Sequence, residues 1–208
     1  MRVQLVGGLW RGRVLTAPKG PSIRPTSQKV RKAIFDWLGP RVQGAAVLDL
    51  FAGTGALGLE AVSGGAASAV LVDRDPACVE ALRRTVTALT PLPPVTVEIL
   101  AHEAVVAVRR LAAAGRRFDL IFADPPYEGP AGRKALQAVS DHVILAPSGV
   151  LIFEHAQRTP PAPWVGREAP AGRPRLVQCR GVHYGDTGVA CYQWDTDGLE
   201  HCNLSRDV

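Results

Sequence analysis

Residues 118–127 read FDLIFADPPY, an apolar run that ends in a carboxylate, two prolines and an aromatic ring. Pro125 restricts Asp124 to extended backbone angles, and Pro126 does the same to Pro125. The segment is stiff, and it projects a carboxylate, then a carbonyl with no adjacent N–H donor, then a ring. An exocyclic amine of a nucleobase needs those parts, because its lone pair is delocalised into the base and it is a poor nucleophile until it is held. Asp124 and the Pro125 carbonyl can accept from both N–H groups and turn the lone pair toward a methyl electrophile. Tyr127 can stack on the base, a contact worth about 1–3 kcal/mol at comparable sites. Asp124, Pro125, Pro126 and Tyr127 are therefore the candidate catalytic residues, and a paired base would have to flip out to reach them. Taken alone, the same four residues could equally be a strand end closed by a Pro-Pro loop.

Residues 47–61, VLDLFAGTGALGLEA, carry Gly53, Gly55 and Gly58 between a strand and a helix. Glycines permit positive φ and a close ligand, and a helix N-terminus offers free N–H groups. The spacing is G-x-G-x-x-G, and Asp73 closes the next strand 20 residues after Gly53, which also satisfies the dinucleotide fingerprint. Asp49 separates the two readings. A pyrophosphate gains nothing from that negative charge, whereas the cationic aminoacyl end of S-adenosylmethionine does. Asp73 suits ribose hydroxyls in either case. Asp49, Phe51, Gly53, Thr54, Gly55 and Asp73 are the candidate cofactor residues. The 124–127 segment, following in the right order along the sheet, favours S-adenosylmethionine over a nicotinamide cofactor.

These residues must be positioned by an α/β fold. Apolar, β-rich runs at 45–51, 69–73, 95–100, 118–124 and 149–154 alternate with helical patterns at 57–63, 77–89, 103–114 and 133–144. Continuous apolar strands between helices indicate a parallel sheet covered on both faces, whose ligands lie at the C-terminal strand edge. Five prolines between 160 and 174 argue against a helix there. Two strands, 175–183 and 188–194, follow around a hairpin turn at 184–187. Ahead of the sheet, 3–6 and 13–15 suggest a small hairpin, and Thr26 or Ser27 can cap a helix through Leu38 that Gly39-Pro40 ends. The expected division is a basic hairpin-and-helix extension of the same domain (1–40), a core (41–195) and a polar, disordered tail (196–208).

Charge is concentrated in that extension. Residues 1–38 hold eight basic side chains against Asp36 alone, a local +7 within a formal total of +5. A basic end on a near-neutral body is what a polyanion-binding arm looks like, against the plainer reading of a solubility feature. Arg2, Trp10, Arg11, Arg13, Arg31 and Lys32 are the candidate RNA-binding residues. The 208 residues, 47% hydrophobic, suffice for one domain with a core. No apolar run reaches the roughly 18 residues of a membrane span, and no signal-peptide pattern opens the chain, so a cytoplasmic location is expected. Cys78, Cys179, Cys191 and Cys202 form no C-x-x-C pair, and the histidines have no metal-ligand spacing; no metal is expected. Cys179 and Cys191 could face each other across the late hairpin, and are read as thiols.

The chain resembles the RsmD-type ribosomal RNA methyltransferases. The residues that carry the likeness are Gly7-Gly8-Leu9-Trp10-Arg11-Gly12-Arg13, Ile23-Arg24-Pro25-Thr26-Ser27 with Val30-Arg31 and Phe35-Asp36-Trp37-Leu38, the glycine turn, the 124–127 segment and Tyr184-Gly185-Asp186-Thr187. The N-terminal segments are the specific part. The resemblance implies a class I methyltransferase fold, a Rossmann-like seven-stranded sheet with an antiparallel last strand. It implies methylation of a guanine N2 amine in 16S RNA within a partly assembled small subunit. Through it Arg24 and Thr26 join the cofactor candidates. Similar proteins carry Glu at the Asp73 position, which keeps the carboxylate, and Glu103 stands where an acid or amide near the adenine is expected.

The alternatives are a DNA adenine or cytosine amino-methyltransferase, a protein glutamine methyltransferase, an NAD(P)-dependent oxidoreductase and a non-catalytic RNA-binding protein. The chain has no room for the target-recognition domain of the DNA enzymes, and the glutamine enzymes typically carry Asn where Asp124 stands. An oxidoreductase leaves the 124–127 segment unexplained.

Overall fold

A computed structural model of the chain describes residues 2–16, 27–89, 95–166 and 175–195. Arg24, Thr26, Cys202 and the 196–208 tail lie outside the described residues. The alternation seen in the sequence becomes five parallel strands, β3 (Ala46–Asp49), β4 (Ser68–Asp73), β5 (Thr96–Ala101), β6 (Phe118–Ala123) and β7 (Leu145–Ala156). Between them run α2 (Ala56–Ser63), α3 (Pro76–Ala88), α4 (Ala104–Ala113) and α5 (Ala131–His142). Two further strands complete the sheet, β9 (Leu176–Tyr184) and β10 (Thr187–Trp194), with the two-residue β8 (Trp164–Val165) at its edge. The order is β5-β4-β3-β6-β7-β10-β9-β8, and β10 is antiparallel to both neighbours. The expected seven strands and reversed last strand are present. The eighth escaped the sequence reading because two residues between prolines have no periodicity to read.

Each central strand is buried on both faces. Val47, Leu71, Leu120, Phe122, Val150 and Ile152 enter one core with α2, α3 and the helix of residues 28–38. Leu48, Val70, Ile121, Leu151, Phe153 and Tyr192 enter the other with α4 and α5. Burying one such side chain contributes about 1.5–3 kcal/mol, so the strand ends that carry polar groups are held by a rigid base. β7 begins earlier than the apolar run suggests. Leu145 pairs with Phe118 and the register shifts before Leu120, as Pro147-Ser148-Gly149 interrupts the ladder. Cys191 stands opposite Arg180, not Cys179.

The basic extension packs onto this body. β1 (Arg2–Gln4) and β2 (Val14–Thr16) pair antiparallel. Ser27 caps α1 (Gln28–Leu38), its hydroxyl accepting from the Val30 amide at 3.2 Å. Val3, Leu5, Trp10 and Leu15 share the core of α1–α3. The loop between β1 and β2 is pinned to the end of α2. Leu9 N–H donates to the Ser63 carbonyl and Trp10 N–H to Ser63 Oγ, both at 2.8 Å. The buried Glu60 carboxylate accepts from the Val6 and Gly7 amides at 2.8 and 2.6 Å. At Gly8, which has φ +69°, an added Cβ would stand 1.9 Å from the Ser63 carbonyl oxygen, so a side chain there would lift the loop off the helix.

Candidate active site

The glycine turn starts where β3 ends. Asp49 is 1% exposed, and its Oδ2 accepts from the Gly58 amide at 3.0 Å. Its Oδ1 is buried and makes no hydrogen bond among the described residues. Burial, with a smaller contribution from the Asp73 charge, pushes this carboxyl up to about 7, while the Gly58 and Phe51 amides pull the other way. Asp73, at the end of β4, uses both oxygens. Oδ2 accepts from the Gly53 amide and Oδ1 from the Asp75 amide, each at 2.8 Å. One carboxylate thereby ties the glycine turn to the start of α3, which Asp75 caps.

The glycines divide by role. Gly53, at φ +52°, turns the chain at the cavity wall with open space where a Cβ would be. Gly55 stands between Thr54 and Ala56 at the head of α2. It sits at φ +79° as the N-cap of α2, where an added Cβ would be 2.7 Å from Leu82 Cδ2. Gly58 lets α2 lie close against β4.

A cavity of about 280 Å³ opens at this edge, lined by Asp49, Phe51, Gly53, Thr54, Asp73, Glu103, Asp124 and Pro126 among others. Six of the described cofactor candidates thus meet around one space with Asp124. The cavity fits a cofactor that is cationic at one end, since the orphaned Asp49 Oδ1 awaits a donor and a buried carboxylate wants a positive partner. Glu103 is exposed and 3.4 Å from Arg74 Nη1.

The 124–127 segment leaves β6 beside β7, where Ala123 pairs with Phe153. Asp124 is half-buried and Pro125 buried. Pro125, Pro126 and Tyr127 line a second groove of about 980 Å³, with Glu154 and His155 on its other wall. Pro126 lines both spaces, so the segment is the partition between them. The Tyr127 hydroxyl donates to Glu154 Oε1 at 2.9 Å and lies 3.0 Å from Thr187 Oγ1. Burial is the first cause, and the Glu154 carboxylate a further one, that pushes the phenol up to about 12.

Of the RNA-binding candidates, Arg2, Arg11, Arg13 and Lys32 are exposed. Lys32 Nζ is 2.6 Å from Asp36 Oδ2, one turn along α1. Arg31 and Trp10 must be corrected. Arg31 is 1% exposed, donates from Nη2 to the Gln4 carbonyl at 2.7 Å and stands 3.7 Å from Glu60 Oε2. Trp10 is 5% exposed, within the core. Neither can meet a phosphate or a base. Arg31 lies on the α1 face that buries Val30, Ile34 and Trp37, and its partner Glu60 is invisible to any local count of charge.

Sequence reasoning also missed Lys134, which lines the 280 Å³ cavity from the first turn of α5, and the tyrosine's partners Glu154 and Thr187. Glu154 could have been found from its place at the end of the fifth parallel strand.

A family model described as "Conserved hypothetical protein 95" matches residues 3–189. The chain belongs to this family. Among curated relatives, the Putative rRNA methyltransferase YlbH of Bacillus subtilis is 34% identical over 197 residues, 92% of this chain and 98% of that protein. The Ribosomal RNA small subunit methyltransferase D of Escherichia coli is 34% identical over 177 residues, 83% of this chain and 86% of its own length. Among solved structures, the putative methyltransferase yhhF from Escherichia coli superposes with a TM-score of 0.73 at 30% identity, covering 95% of this chain and all 100% of that one. A 16S rRNA N2 methyltransferase from T. thermophilus, in complex with AdoMet and guanosine, has a TM-score of 0.64 at 21% identity over 93% of this chain and 49% of that one. That last likeness is one of fold. The structural neighbours are methyltransferases built on the same mostly parallel sheet.

Proposed function

We propose that this chain transfers a methyl group from S-adenosylmethionine to the exocyclic N2 amine of a guanine in 16S ribosomal RNA, presented in a partly assembled small subunit. The observation that carries this reading is Asp124 at the wall of the cavity that also gathers Asp49, Gly53 and Asp73. The rRNA methyltransferases among the relatives supply the substrate class, and guanine N2 is the finer step. The cytoplasm, where subunits assemble, is the corresponding location.

Asp49 would hold the α-ammonium, Asp73 the ribose hydroxyls and Glu103 the adenine side; Arg24 and Thr26 are further candidates from the N-terminal motif. When bound, S-adenosylmethionine would supply a methyl on a cationic sulfur, whose transfer would form an N–C bond, break the S–C bond and release a neutral thioether. Asp124 and the Pro125 carbonyl accept from the two amine N–H groups, aligning the lone pair. Asp124 then takes the proton that the methylated amine must lose. Tyr127 stacks on the flipped base. Orientation alone can supply several of the roughly 7–11 kcal/mol available to well-aligned reactions. Arg2, Arg11 and Arg13 on the hairpin face solvent and would meet RNA phosphates.

The test incubates the protein with labelled S-adenosylmethionine and under-methylated small subunits, naked 16S RNA or DNA, then identifies the labelled nucleoside by mass. N2-methylguanosine from subunits is expected. Label in adenosine, cytidine or DNA would refute the reading.

A further inference from the structure

We propose that Glu154 and Thr187 are positioning residues that lock the Tyr127 ring by its hydroxyl before any base arrives. This rests on the function proposed above and extends it to the residues behind the stacking ring. The hydroxyl donates to Glu154 Oε1 at 2.9 Å and lies 3.0 Å from Thr187 Oγ1. A phenol has one proton. With that proton on the carboxylate, the Thr187 hydroxyl donates to the phenol oxygen.

The two partners come from different strands. Glu154 is on β7 and Thr187 opens β10, whose Thr187 pairs with Ala156. A loop that leaves β6 is thereby tied across the tops of two strands beyond it. The prolines stiffen the near end of the loop, and the hydroxyl fixes the far end, so the ring is held at two points. Phenylalanine would offer the same π-face to a base, so the hydroxyl is not needed for stacking itself. Its use is orientation, because a side chain already ordered costs less to bind against. Glu154 is buried, and its charge, with that of Glu60, favours the ionised form of the Arg31 guanidinium.

The experiment compares Tyr127→Phe, Thr187→Val, Thr187→Ser and the double variant Tyr127→Phe/Thr187→Val, in the full chain with under-methylated small subunits. Thr187→Val should lower kcat/KM for subunits about three- to tenfold, the scale of one hydrogen bond, and Tyr127→Phe, which removes both bonds, by at least as much, with S-adenosylmethionine affinity unchanged. Thr187→Ser should restore the rate, and the double variant should be no worse than Tyr127→Phe alone. An additive double variant, or Tyr127→Phe at the wild-type rate, would overturn the lock. If the wild-type protein methylates no subunit, the proposed function is what fails. The lock is then read without substrate from the NMR ring-flip rate of labelled Tyr127, slow in wild type and faster in Thr187→Val. Equal rates would overturn it.

Discussion

Asp49→Asn should make the ligand-free protein more stable while weakening its hold on the cofactor. The Asp49 carboxyl lies at about 7 against an ordinary 3.8. Between those values the folded state keeps a proton that the unfolded chain has released, so stability falls as pH rises through the window and the penalty is complete above pH 7. Three units correspond to about 4 kcal/mol. Asparagine removes the charge but leaves an amide donor or acceptor unpaired, at about 1–3 kcal/mol. The net gain at pH 8 is about 1–3 kcal/mol, at roughly 2–4 °C per kcal/mol for a chain of this length. Binding should move the other way. A cationic ligand needs the carboxylate ionised, so wild-type affinity for S-adenosylmethionine should rise about tenfold from pH 5.5 to 7, below the range where the ligand's own α-amine titrates. Asp49→Asn should bind about ten- to a hundredfold more weakly at pH 7, the scale of a charged hydrogen bond, with no pH slope in that range. Thermal melting and calorimetry across pH read both effects. A less stable variant that keeps the wild-type pH slope would refute the reasoning.

Asp73→Ala should weaken S-adenosylmethionine binding in calorimetry, both by removing the ribose contact and by releasing the Gly53 amide; an unchanged dissociation constant would remove Asp73 from the site. Neutralising Arg2, Arg11 and Arg13 together should weaken RNA binding and reduce the slope of log K against log salt by about 2–3. The same slope would leave the hairpin charge as a solubility feature. Arg31→Ala should cost about 3–5 kcal/mol in denaturant unfolding, since it leaves the buried Glu60 carboxylate with its amide donors but without its cation; a loss below about 1 kcal/mol would place the pair effectively in water.

The features legible in the sequence are those set by local pattern. Apolar runs mark the parallel strands, and the glycine spacing with Asp49 and Asp73 marks the turn at the cavity, because strand-end acids and positive-φ glycines keep fixed offsets. What stayed hidden depends on contacts between distant segments. Arg31 counted as one more exposed cation until α1 met Glu60 of α2. Trp10 had the type of a stacking residue, yet Gly8 and Ser63 seat its loop so that the indole enters the core. Gly55 fits a ligand-binding pattern, and its part in seating α2 against Leu82 of α3 shows only once the helices pack. The sequence shows Tyr127 as a ring that can stack, and only the β7–β10 ladder brings Glu154 and Thr187 to its hydroxyl.

The central claim is that Asp124 holds and deprotonates the amine beside a separately built cofactor site. Methyl transfer by Asp124→Ala to under-methylated small subunits tests it directly, with S-adenosylmethionine affinity measured on the same preparation. Loss of N2-methylguanosine formation with cofactor affinity nearly intact is the expected result. Transfer at the wild-type rate, or cofactor affinity lost along with activity, would contradict it.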